Sequence, residues 1–483
     1  MSIKNQTTQY CILNTNKMAK LKLRGKDLRA IGYPEGPVIS VAMNVMEKNY
    51  KHSTLQEALD ILKNILDSPA EYMEDAVLKP ITDFLIEKPK VEGDMYELNA
   101  EGISYSTFGA EHIEEGAVKQ MQVASRLPVS VAGALMPDAH QGYGLPIGGV
   151  LATDNAIIPY AVGVDIGCRM CLSVFNMPAG ELRARDKFFE RELNAYTLFG
   201  AGREFKETTE HDVLDRKEFD EVSFLKGLQM KAARQIGSSG SGNHFVEWGI
   251  VDIPSADNAL KVPPGKYVAL LSHSGSRGLG ASIAGYYTKI AMEKTKLPQE
   301  ARHLAWLDLN TQEGMEYWIA MNLAGDYASA CHHVIHRKLA KAIGEKPIAM
   351  VENHHNFAWK EIWEGREVIV HRKGATPAGK DVLGIIPGSM TAPGYIVKGK
   401  GELASVNSAS HGAGRKMSRS KALQNITHSA MKDELKAHGV TLIGGGLDEA
   451  PFAYKDIHTV MAAQKQLVDV EGLFYPRIVK MDG

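Results

Sequence analysis

The sequence predicts an α+β fold, in which a small helical extension precedes a larger domain. From about residue 100 onward, short apolar segments broken by glycine-rich turns are interleaved with helical segments. These segments do not follow the regular βαβ rhythm of a doubly wound sheet, and this favours α+β. The charged residues 86 to 98, which include Pro89 and Gly93, form the expected boundary. We therefore predict a helical extension at residues 1–98 and a domain at residues 99–483.

The extension carries the sequence signals of two helices. Gly36-Pro37 forms a turn that can begin a helix, and apolar residues recur at helical spacing over residues 38–46. A second helix is expected to begin at Ser53 or Thr54, with a glutamine or glutamate closing a capping box. A basic stretch, Lys20 to Arg29, precedes both helices.

The larger domain contains candidate strands and helices in mixed order. The apolar segments that predict strands are Gly149 to Thr153, Ala161 to Val164, Met170 to Asn176, Lys266 to Leu271, Ile348 to Glu352, Val368 to His371 and Gly394 to Lys398. The segments that predict helices are Ala184 to Asn194, Glu221 to Gln235, Gly280 to Lys294, Gly314 to Leu339, Met417 to Leu423 and onward, and Asp456 to Val468.

Length and composition exclude several classes of protein. The chain has 483 residues, of which 44% are hydrophobic and 23% charged, as in ordinary globular proteins. The net charge of −2 gives no global basic field, so a nucleic-acid partner would need a local patch. Four cysteines are too few for a disulfide scaffold and favour a reducing compartment. The sequence has no apolar run of 18 residues and its N-terminus is polar, so we expect a cytoplasmic protein without a membrane span.

Five short clusters between Asp165 and Arg415 concentrate metal ligands and nucleophiles among small residues. In the first, Asp165 and Cys168 flank a glycine turn, so a carboxylate and a thiol can face one divalent ion. The alternative is that Cys168 is a buried apolar side chain, as lone cysteines usually are. Cys171 falls in an apolar segment and is interpreted as packing.

Three further clusters supply imidazoles. His244 lies between Asn243 and Glu247, whose amide and carboxylate can orient a metal-bound imidazole, a phosphate or a base edge. His273 follows an apolar strand and opens a serine- and glycine-rich turn that ends in Arg277, a layout that suits an anion. The plainer alternatives are that His244 is a structural histidine and that the segment after His273 is only a tight turn with a solvated Arg277.

Adjacent and helical histidines are more ambiguous. His354 and His355 are neighbours on a predicted strand and point to opposite faces, so only one can reach a given ion. Cys331, His332, His333 and His336 fall within one predicted helix, where we expect a surface or packing role.

The fifth cluster suits phosphate chemistry. His411 is followed by Gly412, Ala413 and Gly414, which leave the imidazole sterically open. A neutral imidazole can attack a phosphorus atom and hold it as a phosphoramidate. The arginines that follow, Arg415 and Arg419, can stabilise phosphoryl oxygens. The alternative is a histidine satisfied at a helix N-terminus.

Taken together and in order, these clusters resemble the RtcB family of GTP-dependent 3′-phosphate RNA ligases. The resemblance runs from about residue 130 to the C-terminus, and it implies a catalytic domain of mixed β-sheets flanked by helices. Its motifs are Met136 to Gly144, Val162 to Cys168, Gly242 to Glu247, His273 to Gly278, His355-Asn356, Arg372 to Ala375, Pro387 to Met390, His411 to Arg415 and Tyr454 to Asp456.

The resemblance also implies roles for these residues. Two manganese ions (Mn²⁺) would be bridged by Cys168, with Asp165 and His244 completing one site and His273 and His355 the other. His411 would take GMP from GTP and pass it to an RNA 3′-phosphate. A 5′-hydroxyl would then displace GMP. Ends that carry a 2′,3′-cyclic phosphate would be opened first. Arg277, Arg415 and Arg419 would face RNA or phosphate. The guanylate pocket would comprise Asn243, His244, Phe245, Val246, Glu247, His355, Asn356, Pro387, Gly388, Ser389, Met390, Gly412, Ala413, Gly414, Tyr454 and Lys480.

The chain departs from the family pattern at four positions. Arg169 stands where the family usually has glycine, Ser410 replaces a common cysteine, and Gly394 lies where some members place a serine. Near the end, the family's closing Lys-Gly becomes Asp482-Gly483, with Lys480 two residues earlier. Either Lys480 contacts the guanine from its shifted place or Asp482 accepts hydrogen bonds from it, and in both cases we expect GTP to be preferred.

Two other functions remain open at this point. A binuclear metal phosphodiesterase acting on RNA ends would need the metal ligands but not His411, and a catalytically silent RNA-binding member would need neither. The basic stretch Lys20 to Arg29 allows the extension either to grip RNA or to serve only in folding.

Overall fold

The computed structural model describes Leu21 and residues 23–34, 37–85 and 95–483. Contacts within the chain divide it into two compact units, residues 1–93 and 94–483. In the described part, no helix is long and apolar enough to cross a lipid bilayer. The basic residues Lys20 and Lys22, the Gly36 turn and the boundary at 86–94 lie outside the described residues.

The first unit is helical, as the sequence predicts. Its helices are α1 (Gly25–Ala30), α2 (Pro37–Asn49), α3 (Leu55–Asp67) and α4 (Lys79–Leu85). Thr54 caps α3 in the predicted capping box: its hydroxyl accepts from the Glu57 amide, and the Glu57 carboxylate accepts from the Thr54 amide at 2.8 Å. The apolar faces of these helices meet in a core that includes the fully buried Leu28, Met46 and Leu62.

The second unit is α+β, which confirms the predicted fold class. Its strands are β1 (Ser106–Thr107), β2 (Ser130–His140), β3 (Ile147–Thr153), β4 (Ala156–Ile157), β5 (Arg169–Pro178), β6 (Phe245–Ile253), β7 (Gly265–Ser274), β8 (Leu307–Asp308), β9 (Pro347–His354), β10 (Asn356–Trp363), β11 (Arg366–Lys373), β12 (Ala375–Pro377), β13 (Leu383–Ile386), β14 (Gly394–Gly399), β15 (Ser408–Ser410), β16 (Thr441–Ile443) and β17 (Val468–Met481).

The helices of this unit flank its sheets. They are α5 (Glu115–Ser125), α6 (Pro159–Val162), α7 (Ala179–Ala184), α8 (Asp186–Tyr196), α9 (Glu218–Glu221), α10 (Gln229–Gln235), α11 (Arg277–Lys294), α12 (Gln312–Ile343), α13 (Arg419–Asn425), α14 (His428–His438) and α15 (Ile457–Ala462). Short 3₁₀ turns occur at Pro69–Tyr72 in the first unit and, in the second, at Ala110–His112, Asp212–Asp215, Gln299–Leu304, Leu403–Ser405, Leu447–Glu449 and Pro451–Ala453.

Two large sheets organise the second unit. One has the strand order β1-β2-β3-β11-β10, and the other has the order β13-β14-β17-β6-β7-β5-β9, with β16 paired to β17. The pairs β1–β2 and β16–β17 are parallel, and the remaining pairs within these sheets are antiparallel. Both sheets are therefore mixed, as the family resemblance implies.

The eight-stranded sheet has two different faces because successive side chains of a strand point to opposite sides. On one face, Phe175, Trp248 and Leu270 pack with Ile335 and Leu339 of α12. On the other face, a second core cluster contains Met170, Leu172, Leu271, Val351 and Phe474. This alternation decides which side chains reach the candidate site.

Three predicted elements are wrong in whole or in part. Glu221 to Gln235 was expected to be one helix, but residues 222–228 form turns, which separate Glu221, the end of α9, from α10, Gln229–Gln235. Ala161 to Val164 was expected to be a strand, but the segment is the end of α6, where Pro159 occupies the first helical position that proline favours. Asp456 to Val468 was expected to be one helix, but α15 ends at Ala462 and Val468 begins the long strand β17. The pairing of β17 with β14 ends the third of these predicted elements, and local turns override the apolar periodicity in the other two.

Candidate metal and nucleotide site

Five predicted metal ligands converge at one end of the eight-stranded sheet. Asp165 and Cys168 lie in the turn between α6 and β5, and His244 immediately precedes β6. His273 is near the end of β7, and His355 connects β9 with β10. We call these five residues the cavity-side cluster.

The distances within the cavity-side cluster are those of groups that share ions. Cys168 Sγ lies 3.2 Å from His273 Nε2 and 3.4 Å from His244 Nε2. The two further contacts join His244 Nε2 to Asp165 Oδ2 at 2.7 Å and His273 Nε2 to His355 Nε2 at 3.2 Å. The ligand atoms form two groups of three, and Cys168 belongs to both.

The turn that presents Asp165 and Cys168 depends on two glycines. Gly167 has a φ of +69° and lies against the backbone of Gly325 in α12, where a Cβ would come within 2.9 Å of the Gly325 Cα. Gly275 faces the Asp165 carboxylate, and a Cβ there would come within 2.1 Å of Oδ1. The glycines noted in the sequence therefore make room for the carboxylate and allow the turn.

Hydrogen bonds fix which imidazole nitrogens face the cavity-side cluster. His273 Nδ1–H donates to the Asn243 carbonyl at 3.0 Å, so its Nε2 presents a lone pair to Cys168. His355 Nδ1 is buried without a hydrogen-bond partner in the described structure. Arg277 Nη2 donates to His244 Nδ1 at 2.8 Å.

Burial sets the protonation of this cluster. It lowers the pKa of His273 to about 3, with the neighbouring His244 adding to the effect, so the imidazole is neutral at pH 7. Burial, followed by the Asp165 charge, raises the pKa of the Cys168 thiol well above its ordinary value. Burial would also raise the pKa of Asp165, but the charge and hydrogen bond of His244 outweigh it and lower that pKa. A thiol, a carboxylate and imidazoles fit a divalent cation, whose binding would release the thiol proton.

Arg169, the departure beside Cys168, is buried and has three partners. Its Nη2 donates to the Gly325 carbonyl at 2.7 Å, its Nε donates to the Gly167 carbonyl at 3.3 Å, and its Nη1 lies 3.3 Å from Glu352 Oε1. The guanidinium therefore ties the metal-ligand turn to α12 and to β9. An arginine is accommodated here because Glu352 balances its charge and two carbonyls satisfy its other N–H groups.

His411 lies beside this cluster and is held by a buried aspartate. Asp138 Oδ2 accepts from His411 Nδ1 at 2.7 Å and from the amides of His411 and Gly412 at 3.1 and 3.3 Å. Because Nδ1 carries the shared proton, Nε2 is the nitrogen that remains available for chemistry. The His411 ring centroid is 4.9 Å from that of His355. Burial would raise the pKa of Asp138, but the hydrogen bond and charge of His411 outweigh it and lower that pKa.

A cavity of about 810 Å³ opens next to the cluster and His411. The predicted guanylate residues on its wall are Asn243, Phe245, Glu247, His355, Asn356, Pro387, Gly388, Ser389, Met390, Gly412, Ala413, Gly414 and Tyr454. Arg415 and Arg419 also line it. The structure thus brings together residues that span more than 200 positions of the chain.

Strand alternation excludes two predicted pocket residues. In the register of β17, β6 and β7, Val479, Glu247 and Leu271 are partners and line the cavity. The next row contains Lys480, Val246 and Ser272, and it points to the opposite face. The Val246 side chain therefore points away from the cavity and packs with Trp248 and Ile335.

Lys480 does not reach the predicted guanine position either. Its ammonium donates to the carbonyls of Asn194 and Thr197 at 3.0 and 3.1 Å. Burial lowers its pKa to about 8. A shift of two positions preserves the face of a strand, so Asp482 would share this face if β17 continued beyond Met481. Neither residue lines the cavity in the described structure.

The arginines of the fifth cluster are balanced by acids. Arg415 lies 3.5 Å from Glu449, and Arg419 pairs with Asp448 at 2.6 Å and with Glu449. The Tyr454 hydroxyl also donates to Glu449. Arg277, in contrast, contacts His244 and the Gly275 carbonyl and is not on the cavity wall.

Asp138 was missed as a functional residue. It lies in the quoted motif Met136 to Gly144, but nothing in its local spacing connects it with His411, which follows 273 residues later. The only sequence signal was its place in a run that matches the family. Lys373, which is buried on the cavity wall with a pKa lowered by burial to about 7, was likewise part of a motif without an assigned role.

The fold and the site define a class: an α+β protein with a buried thiol–imidazole metal centre beside an aspartate-held histidine. Sequence comparison agrees with this class. The family described as tRNA-splicing ligase RtcB matches residues 120–480. The chain belongs to the RtcB family.

Curated relatives cover most of the chain. The RNA-splicing ligase RtcB of Escherichia coli K12 is 33% identical over 391 residues, which are 74% of this chain and 92% of that protein. The tRNA-splicing ligase RtcB of Methanococcus maripaludis is 30% identical, over 72% of this chain and 88% of that protein. The protein of the same description from Nanoarchaeum equitans is 30% identical, over 81% of this chain and 96% of that protein. The match begins after the helical extension in the family comparison.

Proposed function

We propose that this protein is an RNA ligase that joins RNA 3′-phosphate or 2′,3′-cyclic phosphate ends to 5′-hydroxyl ends, in RNA repair or tRNA splicing. GTP and two Mn²⁺ ions are the proposed cofactors. The observation that carries the proposal is His411, whose Nδ1 is held by Asp138 while its ring lies 4.9 Å from a ligand of the cavity-side cluster. A metal phosphodiesterase would not need an imidazole prepared in this way.

In the proposed first step, His411 Nε2 attacks the α-phosphorus of GTP. A nitrogen–phosphorus bond forms, and the bond from the α-phosphorus to the bridging oxygen breaks, so pyrophosphate leaves. The Asp138 carboxylate faces the Nδ1–H and stabilises the positive charge that develops on the ring as Nε2 bonds to phosphorus. Because Asp138 is fully buried, this interaction is not weakened by solvent.

Two substitutions complete the proposed reaction. An oxygen of the RNA 3′-phosphate attacks the guanylate phosphorus, and the bond to His411 breaks. The RNA 5′-hydroxyl then attacks the RNA phosphate, loses its proton and displaces GMP. Each step exchanges one phosphorus bond for another, so a single cavity that holds His411 and the phosphate-binding groups can support the whole sequence.

The proposed metal ligands follow from the two groups of three that share Cys168. Asp165 and His244 would complete one position, and His273 and His355 the other. Bound Mn²⁺ would neutralise phosphate charge and polarise phosphorus–oxygen bonds. Arg277, Arg415 and Arg419 would add positive charge for RNA or nucleotide phosphates.

We assign guanine recognition to the cavity wall rather than to the C-terminus. Glu247 is buried on the cavity face, and burial raises its pKa well above the ordinary value. Its carboxyl group can accept from the guanine N–H groups, and this would offset its desolvation. The Pro387 to Met390 loop and Tyr454 supply the surrounding surface.

The remaining assignments are part of the same proposal. Residues 99–483 would form the catalytic domain, and residues 1–98 a helical extension. We place the protein in the cytoplasm, a location supported by the free thiols of Cys168, Cys171 and Cys331.

The test is the intact mass of the protein after incubation with GTP and Mn²⁺. We expect a GMP adduct in the wild type and in His438→Ala, which changes an exposed histidine of α14, and no adduct in His411→Ala. Ligation of RNA with 3′-phosphate and 5′-hydroxyl ends should follow the same pattern. Cleavage of RNA phosphodiesters by His411→Ala at the wild-type rate, with no adduct in any variant, would instead favour the phosphodiesterase.

A further inference from the structure

A group of three aromatic rings includes one exposed ring, Tyr143, that lines the cavity, and two half-buried rings, Tyr160 and His303, packed beside it. Tyr143 lies in the loop between β2 and β3, Tyr160 in α6, and His303 in the 3₁₀ turn Gln299–Leu304. The ring centroids are 4.9 Å apart for Tyr160 and His303, 6.0 Å for Tyr143 and His303, and 6.4 Å for Tyr143 and Tyr160. We call these three residues the aromatic ledge.

The outermost ring of the ledge is open to solvent. The Tyr143 side chain is 67% exposed, the same fraction as Ile362 and more than any other exposed large hydrophobic residue described. Tyr143 also lines the cavity that contains His411 and Cys168. An aromatic ring left this exposed at the mouth of a polar cavity costs free energy that a stacking partner would recover.

The ledge is built into the site rather than attached to a free loop. Lys373, on the cavity wall, donates to the Tyr143 carbonyl and lies 5.0 Å from the centroid of the Tyr160 ring. The loop also passes close to the His303 backbone, because Gly144 has a φ of +68° and a Cβ there would come within 2.9 Å of the His303 carbonyl oxygen.

The ledge is also joined to the reacting groups through the backbone. Tyr160 is five residues before Asp165, on the segment that ends in the metal-ligand turn. Lys373 is followed by Gly374, where a Cβ would come within 3.2 Å of His411 Cε1. The rings therefore have a fixed position relative to both the cavity-side cluster and His411.

We propose that the aromatic ledge stacks a nucleobase of the RNA next to the junction that is being joined. This inference rests on the proposed function and specifies how the RNA end is held. A strand whose terminal phosphate enters the cavity leaves its adjacent nucleosides at the mouth, and unstacked bases at RNA ends are bound by aromatic side chains. Stacking is tolerant of sequence because every base has a π face, and this suits an enzyme that must act on ends rather than on one sequence.

The test compares Tyr143→Ala, Tyr143→Phe and a control, Tyr196→Ala, which removes a tyrosine that is 43% exposed at the end of α8. Loss of a stacked base weakens RNA binding by between roughly 5-fold and 150-fold. We expect Tyr143→Ala to raise the KM for RNA and the Kd for 3′-phosphorylated RNA within that range. Tyr143→Phe keeps the ring and should stay within about twofold of wild type, as should Tyr196→Ala.

Formation of the GMP adduct needs no RNA and therefore separates stacking from general damage. We expect all three variants to form the adduct at the wild-type rate. A Tyr143→Ala protein that loses adduct formation as much as RNA affinity would overturn the proposal, as would unchanged RNA binding and KM in Tyr143→Ala.

Abasic substrates identify the strand that is stacked. A single abasic nucleotide is placed at the 3′-phosphate end in one substrate and at the 5′-hydroxyl end in another. The abasic site at the stacked position should weaken RNA binding by the wild type as much as Tyr143→Ala weakens binding of intact RNA. Tyr143→Ala should bind that abasic RNA no more weakly than it binds intact RNA. Fully additive losses at both ends would contradict stacking.

The two proposals can fail separately. A wild-type protein that forms no adduct and ligates no RNA contradicts the ligase function. If Tyr143→Ala still weakens RNA binding in that protein while Tyr143→Phe does not, the ledge stands as an RNA-binding feature. If the wild type forms the adduct and ligates RNA while Tyr143→Ala is fully active, the ligase function stands and the stacking role of the aromatic ledge is wrong.

Discussion

Two buried groups of cysteine and histidine lie on opposite faces of the same sheet. The cavity-side cluster contains Cys168 and His273, and a second group contains Cys171, Ser272 and, from α12, His332 and His336. We call this second group, with Ser173, the helix-side cluster. In the register of β5 and β7, Met170 pairs with His273 and Cys171 pairs with Ser272, so adjacent rows point to opposite faces.

The helix-side cluster looks like a metal site by composition but not by its hydrogen bonds. The Cys171, His332 and His336 ligand atoms lie within 4.8 Å of one another. His332 Nε2–H donates to the Ser274 carbonyl at 3.1 Å, so its Nδ1 accepts from the Ser272 hydroxyl at 2.6 Å. The Ser272 oxygen then accepts from His336 Nε2–H at 2.7 Å, and His336 Nδ1 accepts from Ser173 at 2.7 Å.

The Ser274 carbonyl can only accept a hydrogen bond, so it fixes the direction of every hydrogen bond in this series from Ser274 to Ser173. No nitrogen of His332 or His336 is left for a cation, whereas in the cavity-side cluster His273 Nδ1–H donates to the Asn243 carbonyl and its Nε2 lone pair faces Cys168. The partners of the ring nitrogens, rather than the number of histidines and cysteines, therefore make the cavity-side cluster the better candidate for a metal centre.

The largest expected effect tests this distinction with two cysteines three residues apart. Cys168→Ala should lower Mn²⁺ affinity by more than the roughly 10- to 100-fold loss seen when a residue that only hydrogen-bonds to a metal ligand is replaced, because it removes a ligand shared by both groups of three. Cys171→Ala should leave the affinity within about twofold. Equilibrium dialysis with metal analysis measures both, and equal losses in the two variants would make the helix-side cluster a metal site.

The second prediction concerns Arg169, whose guanidinium points away from the cavity yet supports the turn that carries Cys168. Arg169→Met removes the ion pair and leaves Glu352 without its arginine. We expect a loss of about 2–3 kcal/mol in the free energy of unfolding, below the 3–5 kcal/mol of fully buried pairs because Glu352 retains 31% side-chain exposure.

Urea denaturation of Arg169→Met is compared with that of Arg366→Met, a half-exposed arginine that lies 3.3 Å from Asp154. The control should lose no more than about 1 kcal/mol. A loss in Arg169→Met as small as that of the control would mean that the arginine is a passive replacement for the family's glycine.

Sequence reasoning succeeded where a motif carried its own chemistry. Asp165 and Cys168 are predicted to face one ion because both stand at a glycine turn. The motif at His273 predicts an anion site by itself, and only the family resemblance places His273 with the other two. The fold class also followed from the irregular order of strands and helices. For Cys171 the sequence predicts packing, and for His332 and His336 a surface or packing role; all three side chains are buried.

The failures concern information that strand pairing supplies. Val246 is one residue from Glu247, and only the pairing with β7 and β17 decides that Glu247, not Val246, faces the cavity. Asp138 lies in β2 of the other large sheet and meets His411 only through tertiary structure. A local pattern contains no record of such a contact.

The third prediction is a pH dependence of stability from the helix-side cluster. Burial, with a contribution from His333, lowers the pKa of His336 to about 3, against an ordinary value of 6.5. Between pH 6.5 and pH 3 the unfolded chain therefore binds a proton that the folded protein does not, and stability falls as the pH falls. This histidine contributes a slope of up to about 1.4 kcal/mol per pH unit.

Urea titrations at pH 7, 6 and 5 measure this slope. His336→Gln should be less stable at pH 7 but should show a shallower decline on acidification than the wild type. Parallel curves for the two proteins would mean that His336 binds its proton over the same pH range in the folded and the unfolded protein, and the directed hydrogen-bond series would then be wrong.

The smallest expected effect concerns Lys480, which shares its row and its face with Ser272. Because its ammonium donates to Asn194 and Thr197 and not to the cavity, Lys480→Met should change the rate of GMP adduct formation by less than about twofold and leave the preference for GTP over ATP intact. Glu247→Gln, on the cavity face of the neighbouring strand, should weaken that preference, since an amide presents only one acceptor to the guanine N–H groups. Competition between GTP and ATP for adduct formation, read by intact mass, compares the two variants. If Lys480→Met loses the preference and Glu247→Gln keeps it, the base is recognised from the other face of β17, and the assignment of guanine recognition to the cavity face is wrong.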